Sequence, residues 1–156
     1  MRRLFPIFMI VSASVWGLSS CNGPKVYDSY CHTHIGGWEK NDTLNFDIPP
    51  LKDSGIYTAE LGLRINESYP FTGITLIAQF IDKQGVLSTD TLNCNLIDNN
   101  GIPQGKGISY YQYSFKIKDL ALIKDSRIRV CVRHDMKREI LPGISDVGIS
   151  LTQIGH

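Results

Sequence analysis

The chain is organised by an alternation of apolar and polar residues with a period of two. The clearest run places the following apolar residues on one face: Tyr57, Ala59, Leu61, Leu63 and Ile65. Because successive side chains of a strand point to opposite faces, such a run predicts a strand with one buried and one solvated face. The same alternation recurs in segments 43–48, 111–117, 127–133 and 147–152.

Segment 74–81 is apolar at nearly every position, which predicts a central strand covered on both faces. Residues typical of turns separate the runs: Pro49-Pro50, Lys83-Gln84-Gly85, Asp98-Asn99-Asn100-Gly101 and Pro142-Gly143. Short strands divided by frequent turns predict an all-β fold, an antiparallel β-sandwich of about eight strands with jelly-roll or Ig-like topology. The best helical candidate is the stretch from Lys118 to Ser126, for one or two turns.

The N-terminus departs from the strand pattern. Arg2 and Arg3 precede an apolar stretch, 4–16, that is shorter than the roughly 20 residues of a membrane-spanning helix. The run Leu18-Ser19-Ser20-Cys21 follows and has the form of a lipobox. These features predict that residues 1–20 are a lipoprotein signal peptide, removed before a diacylglycerol-modified Cys21. A plain secreted protein with an incidental cysteine is the alternative.

Beyond the signal, the sequence divides into a tether, 21–25, and a single β-sandwich domain, 26–156. The tether is polar and rich in turn formers, and it carries no acidic run after Cys21. Acidic runs at this place are found in some lipoproteins exported to the cell surface. We therefore expect a lipid anchor in the outer membrane, with the domain facing the periplasm.

Charge excludes one class of partner. The whole chain has a formal net charge of +1, and it stays near neutral when Arg2 and Arg3 leave with the signal. A near-neutral chain with scattered cations offers no electrostatic basis for binding nucleic acid. No motif of a serine hydrolase or zinc protease is present either, so we predict no catalytic residues, no cofactor and no enzymatic activity.

Cysteine and histidine supply the metal-binding candidates. Cys31, Cys94 and Cys131 allow at most one disulfide, and we favour Cys94 and Cys131 as small apolar residues inside strands. His32 and His34 would share one face of an extended strand. Because a structural zinc site needs four ligands and no second cluster is visible, we predict no metal site.

Three further motifs have two interpretations each. The segment 101–107 is rich in glycine but lacks the spacing of a phosphate-binding loop, which favours a wide connection between strands. Asp42-Thr43-Leu44 and Asp90-Thr91-Leu92 resemble acceptors of bacterial O-glycosylation, or are ordinary strand residues. Tyr69, Pro70 and Phe71 form the candidate contact loop, whose aromatic side chains could anchor a partner, stack on a sugar or close the end of the sandwich.

Several segments in a fixed order carry a family resemblance: Val26-Tyr27, Trp38, Tyr69-Pro70-Phe71, Asp98 to Gly101 and Asp146-Val147-Gly148-Ile149. With the lipobox, they resemble the gliding-motility lipoprotein H (GldH-like) family. The chain departs from the family pattern at Thr72-Gly73, where an asparagine is expected, and at Ile102-Pro103, where an aromatic residue is expected. The resemblance implies an envelope lipoprotein associated with gliding machinery and a protein secretion apparatus, without known catalytic residues.

The functional hypothesis is therefore a non-enzymatic, lipid-anchored protein of the cell envelope. It would be held to the membrane by its covalent lipid and would bind envelope or secretion-machinery proteins. A small-molecule ligand is left open. The alternative is a carbohydrate-binding β-sandwich lipoprotein, with Trp38, Tyr69 and Tyr111 as candidate sugar-stacking residues.

Overall fold

The computed structural model describes residues 23–155. The predicted signal peptide and Cys21 lie outside this range. The strands follow in chain order: β1 (Lys25–His32), β2 (Trp38–Glu39), β3 (Leu44–Ile48), β4 (Gly55–Asn66), β5 (Gly73–Asp82), β6 (Gly85–Asn95), β7 (Tyr110–Leu122), β8 (Ile128–His134), β9 (Ile140–Leu141) and β10 (Ile144–Gly155). Across residues 23–155, the structure contains no helix capable of crossing a bilayer.

The long strands form two four-stranded sheets. The first sheet has the order β1-β10-β4-β7 and the second has β3-β8-β5-β6, with every pairing antiparallel. The short strands β2 and β9 pair separately. With these two set aside, the eight remaining strands have the order of a jelly roll, not of an Ig fold: each connection crosses between the sheets except the β5–β6 hairpin. The predicted antiparallel sandwich is confirmed.

The core lies between the inner faces of the two sheets. Burial alternates along β3, where Leu44, Phe46 and Ile48 are buried and the two residues between them are exposed. The predicted inner face of β4 is buried in the same way. The period-two pattern is confirmed because each of these strands packs one face on the opposite sheet, while the other face is exposed in β3 and largely half-buried in β4.

The helix predicted from Lys118 to Ser126 is wrong. Residues up to Leu122 continue β7, which pairs with β4 along its full length, and the remainder forms a turn before β8. Thr58 in β4 donates a 2.6 Å hydrogen bond to the carboxylate of Asp119 in this segment. Pairing with β4 satisfies the backbone of the segment and overrides its local helical preference.

Strand β5 is central in its sheet, between β8 and β6, as predicted. The prediction that it is covered on both faces is wrong. Its inner residues, such as Leu76 and Phe80, are fully buried, whereas outward residues such as Ile77 are only half-buried. In the described part of the chain, no further layer lies on the outer face of this sheet.

All connections fall at two ends of the sandwich. We call one the terminal end, because residues 23–24 and Gly155 lie there together with the connections 49–54, 83–84 and 123–127. The opposite end, which we call the loop end, carries the connection 67–72 with the candidate contact loop, the connection 96–109, and the two connections that contain β2 and β9. Strand β4, with 12 residues, spans about 40 Å from one end to the other.

Candidate functional site

The candidate contact loop lies at the loop end, between β4 and β5, and Tyr69 fixes its shape. The Tyr69 hydroxyl donates a hydrogen bond to the carbonyl of Gly73 at 2.9 Å, and the Tyr69 amide donates to the carbonyl of Asn66 at 3.2 Å. Burial raises the pKa of the Tyr69 hydroxyl well above its usual value. The hydroxyl therefore stays protonated and remains a donor across the physiological range.

Asn66 and Gly143 hold the start of the loop. The side-chain oxygen of Asn66 accepts a hydrogen bond from the amide of Ser68 at 2.9 Å, which is an Asx turn. The Asn66 amide donates to the carbonyl of Gly143 at 2.8 Å. Gly143 has a φ of +81°, and a β-carbon there would lie 2.3 Å from the amide nitrogen of Tyr69. A glycine is thus required where the β9–β10 turn packs against the contact loop.

Phe71 and Pro70 form the exposed part of the contact loop. The Phe71 ring packs edge-on against Tyr69, with ring centroids 5.6 Å apart, yet 37% of the residue remains exposed. Pro70 and Phe71 line a shallow groove of about 430 Å³, which Cys94 and Met136 also line. The result is a rigid apolar edge beside a groove, which can receive a side chain of a partner.

The thiol of Cys94, which lines this groove, is protonated. It is buried in β6, and burial raises the pKa of its thiol to about 11, so it is neutral at physiological pH. Cys131 lies in β8 and its thiol is 3.1 Å from the side-chain oxygen of Asn45. The prediction that both cysteines lie inside strands is confirmed, although Cys131 is half-buried on an outward face.

Beside the contact loop, Trp38 and His134 close the loop end of the core. Trp38 is 0% exposed, packs edge-on against His134 at 5.3 Å, and donates through Nε1 to the carbonyl of Asp42 at 2.9 Å. A fully buried Trp38 has no face available for a sugar. Tyr69 and Tyr111, the other candidates for sugar stacking, are half-buried and packed against the core.

The two histidines of the metal candidate do not converge. Strand β1 ends at His32, whose ring contacts the carboxylate of Asp146, and His34 lies in the following turn and accepts a hydrogen bond from the amide of Gly36 at 3.1 Å. In the range 23–155, no three histidine, cysteine or acidic side chains are placed to hold a metal ion.

The remaining motifs lie in strands or connections. The segment 101–107 belongs to the wide connection between β6 and β7, as predicted; Asp98 accepts the amides of Asn100 and Ile102 there at 2.8 and 2.9 Å. The Asp42-Thr43 pair directly precedes β3, whereas Asp90 lies in β6 and forms an ion pair with Lys118 at 2.9 Å. O-glycosylation of either segment stays a prediction.

A second cluster, centred on Tyr30, lies on the outer face of the first sheet and was not predicted from the sequence. The Tyr30 ring covers Gly148 and Gly62, where added β-carbons would lie 2.6 and 2.3 Å from its atoms. The guanidinium of Arg64 lies 4.1 Å from the ring centroid, and Gln112 Nε2 donates to the Tyr30 hydroxyl at 3.3 Å. Glycines at paired positions of β4 and β10 are the signal that could have revealed this close packing.

Cys21, the predicted lipid attachment site, lies outside the described residues and stays a prediction. Gly23 and Pro24 run beside β10, where the amide of Gln153 donates to the carbonyl of Pro24 at 3.2 Å. Strand β1 begins at Lys25, the last residue of the predicted tether. The chain thus joins the body of the domain at the terminal end, opposite the contact loop.

Among solved structures, the family GH115 4-O-methyl-α-glucuronidase BtGH115A resembles this chain with a TM-score of 0.48 and 14% sequence identity. The match covers 83% of this chain but only 18% of that one. A likeness of this degree carries no information about function.

Sequence comparison is more informative. The family model for GldH lipoproteins matches residues 25–151. The gliding motility lipoprotein GldH of Flavobacterium johnsoniae is 31% identical over 147 residues, covering 87% of this chain and 89% of that protein. The GldH homolog of Christiangramia forsetii is 25% identical over 160 residues, covering 97% of each. The predicted family resemblance is confirmed, and the chain belongs to the GldH lipoprotein family.

Proposed function

We propose that this lipoprotein is a non-enzymatic adaptor of the gliding-motility machinery that binds another envelope protein through its contact loop. Lipid on Cys21 would hold it in the outer membrane, with the domain in the periplasm. The observation that carries the proposal is the exposed edge of Pro70 and Phe71, held rigid by Tyr69 at the end opposite the chain's membrane attachment.

The position of the contact loop supports a role in protein contact. The anchor joins the domain at the terminal end, and β4 alone places the contact loop about 40 Å away from it. An anchored domain standing on this end presents Phe71 to proteins in the adjoining space. The lipid also raises the local concentration of the domain near other membrane proteins, so a small contact surface is sufficient.

The chemistry of the groove supports binding over catalysis. Tyr69, which packs against Phe71, and Cys94, which lines the groove, both have pKa values raised by burial. Both are therefore protonated at neutral pH and serve neither as base nor as nucleophile. The exposed edge of Pro70 and Phe71 is apolar, and uncharged polar residues such as Thr72 and Asn93 also line the groove, a combination typical of a protein interface.

The first test is photo-crosslinking in living cells, with a photoreactive phenylalanine analogue replacing Phe71. We expect a crosslink to a protein of the gliding or secretion machinery. The matched control places the same analogue at Ser114, which is exposed in the middle of β7. Crosslinks only between copies of this chain, or the same products from both positions, would contradict the proposal.

The second test is the variant Phe71→Ser. Loss of an aromatic hot spot typically costs at least about 2 kcal/mol of binding free energy, so capture of the crosslinked partner should fall roughly 30-fold. Leu87→Ser is the matched control, because Leu87 is an exposed apolar residue on β6 at the other end of the sandwich. Equal capture by the two variants would exclude the contact loop as the binding site.

A further inference from the structure

The terminal end carries apolar side chains that nothing in the described chain covers. Ile123 follows the last residue of β7 and is 72% exposed. Ile56 and Ile154 are exposed at the same end, near the start of β4 and the end of β10. Val86 is exposed at the β5–β6 hairpin of the second sheet. We call Ile56, Val86, Ile123 and Ile154 the docking surface.

The length of the chain determines what can lie against this surface. Gly23 is packed against the Gln153 carbonyl, where an added β-carbon would lie 1.6 Å from the oxygen, so it is part of the rigid body. Only Asn22 separates it from Cys21, and the α-carbons of Cys21 and Gly23 are at most about 7 Å apart. A lipid on Cys21 therefore brings the terminal end to the membrane surface.

We propose that the docking surface rests on the bilayer that holds the anchor, with its isoleucines at the boundary between headgroups and acyl chains. This inference depends on the proposed lipid attachment at Cys21, but it adds an orientation to it. The domain stands upright on its terminal end instead of swinging from a flexible tether. The contact loop is thereby held at a defined height above the membrane.

The charges around the docking surface indicate which lipid it suits. The connections at this end carry Lys52, Lys83, Lys124 and Arg127 beside Asp53 and Asp125, and Asp82 is the last residue of β5. Because these charges nearly cancel, anionic lipid is not required and a zwitterionic phospholipid surface is sufficient. Ile123, which is followed by Lys124, is also suited to an interface, since a lysine stem lies along apolar surface while its ammonium group reaches water.

A groove at the same end fits this occupant. It has a volume of about 570 Å³, and its walls are largely apolar, including Ile48, Pro50 and Ile81. Lys83 and Arg127 lie at the groove as well, together with Asp82 and the ion pair of Arg129 with Asp47. Apolar walls beside groups of both charges suit the glycerol and headgroup region of a zwitterionic phospholipid. The covalent anchor keeps such lipids at high local concentration, so weak individual contacts are sufficient to populate the docked state.

The test uses the full lipidated protein in phosphatidylcholine vesicles whose acyl chains are brominated close to the headgroup. Tryptophan is introduced at the docking surface in Ile123→Trp and, as the matched control, at the loop end in Ile108→Trp. Ile108 is exposed to a similar degree, and the buried Trp38 is a background common to both. We expect the added emission in Ile123→Trp to be quenched roughly twofold or more, because bromine quenches only at contact distance and the docked side chain lies ~5–10 Å into the interface. The added emission in Ile108→Trp should be unchanged.

Flotation of the vesicles separates the two proposals. Protein that floats with the vesicles but shows no quenching in Ile123→Trp would overturn docking and leave the lipid anchor standing. Equal quenching in the two variants would also overturn it, because the domain would then lie on its side or tumble. Protein that does not float at all would overturn both the anchor and the docked orientation.

Discussion

The two ends of the sandwich differ in the length and shape of their connections. The terminal end has short ones, including the tight β5–β6 hairpin at 83–84, where Asp82 accepts hydrogen bonds from two backbone amides. The loop end has the long connection 96–109 and the two segments that contain β2 and β9. Short turns make a compact end that can approach a flat surface, whereas long connections supply the variable surface used in recognition.

Each end of the core is nevertheless closed in the same way, by a buried aromatic ring whose polar atom donates a hydrogen bond to a backbone carbonyl. At the loop end, the indole nitrogen of Trp38 donates to the carbonyl of Asp42, and at the terminal end the hydroxyl of Tyr57 donates to the carbonyl of Asp53 at 2.7 Å. Each ring is buried and its polar tip is satisfied by a connection. The two closures differ in that His134 packs against Trp38, which places an imidazole beside the buried ring at the loop end.

The largest effect expected from this comparison is that of Trp38→Ala. Removing a fully buried indole leaves a cavity and should lower the free energy of unfolding by about 3–5 kcal/mol. Urea unfolding measures it. Tyr57→Phe at the terminal end keeps the ring and loses one hydrogen bond, so it should cost only about 1 kcal/mol. If Trp38→Ala costs no more than Tyr57→Phe, the closure of the loop end by Trp38 is not structurally important.

The next effect is a dependence on pH carried by His134. Its Nδ1 accepts from the amide of Met136 at 3.4 Å and its Nε2 lies 3.2 Å from the carbonyl of Trp38, an arrangement that suits a neutral ring. Burial lowers the pKa of His134 below its usual value. The unfolded chain therefore binds more protons below about pH 6.5, and stability falls as the pH decreases through that value, by at most about 1.4 kcal/mol per unit.

His134→Gln is the control for this pH dependence, since glutamine cannot take up the proton. Unfolding free energies measured from pH 7.5 down to pH 5 should fall less steeply in the variant than in the parent, with slopes that differ by at most about 1.4 kcal/mol per pH unit, the effect of one proton. Identical slopes would mean that His134 is not the group responsible. Hydrogen exchange should also show loop-end amides losing protection before those near Tyr57.

Much of the fold could be predicted because the pattern that encodes it is local. The inner face of β4 follows from period-two alternation alone, since a sandwich strand buries one face. The pairing of β1 with β10 could not be predicted, because it joins segments at opposite ends of the chain. The prediction of a helix at Lys118 to Leu122 is wrong because the pairing of this segment with β4 outweighs its local preference.

In the candidate site, too, features set by neighbouring residues could be predicted and features set by distant pairing could not. The position of Phe71 in an exposed connection could be predicted from its neighbours, Pro70 and Tyr69. The burial of Trp38 could not, because it depends on the pairing of β2 with β9, two short strands far apart in the chain. Likewise, the requirement for glycine at position 143 could not be predicted, because it arises from the close packing of this turn against the amide of Tyr69.

The smallest expected effect is that of Asn66→Ala, which should raise the rate of amide hydrogen exchange at the loop end only. Asn66→Ala removes the Asx turn that begins the connection 67–72 and should cost about 1 kcal/mol or less. Because the hydrogen bond from the Tyr69 hydroxyl to Gly73 remains, the fold should persist while amides at 67–72 exchange faster. Amides at 49–54 should keep their exchange rates, since about 40 Å separates the ends. Faster exchange at both ends would show that Asn66 stabilises the whole sandwich and that the contact loop is not an independent unit.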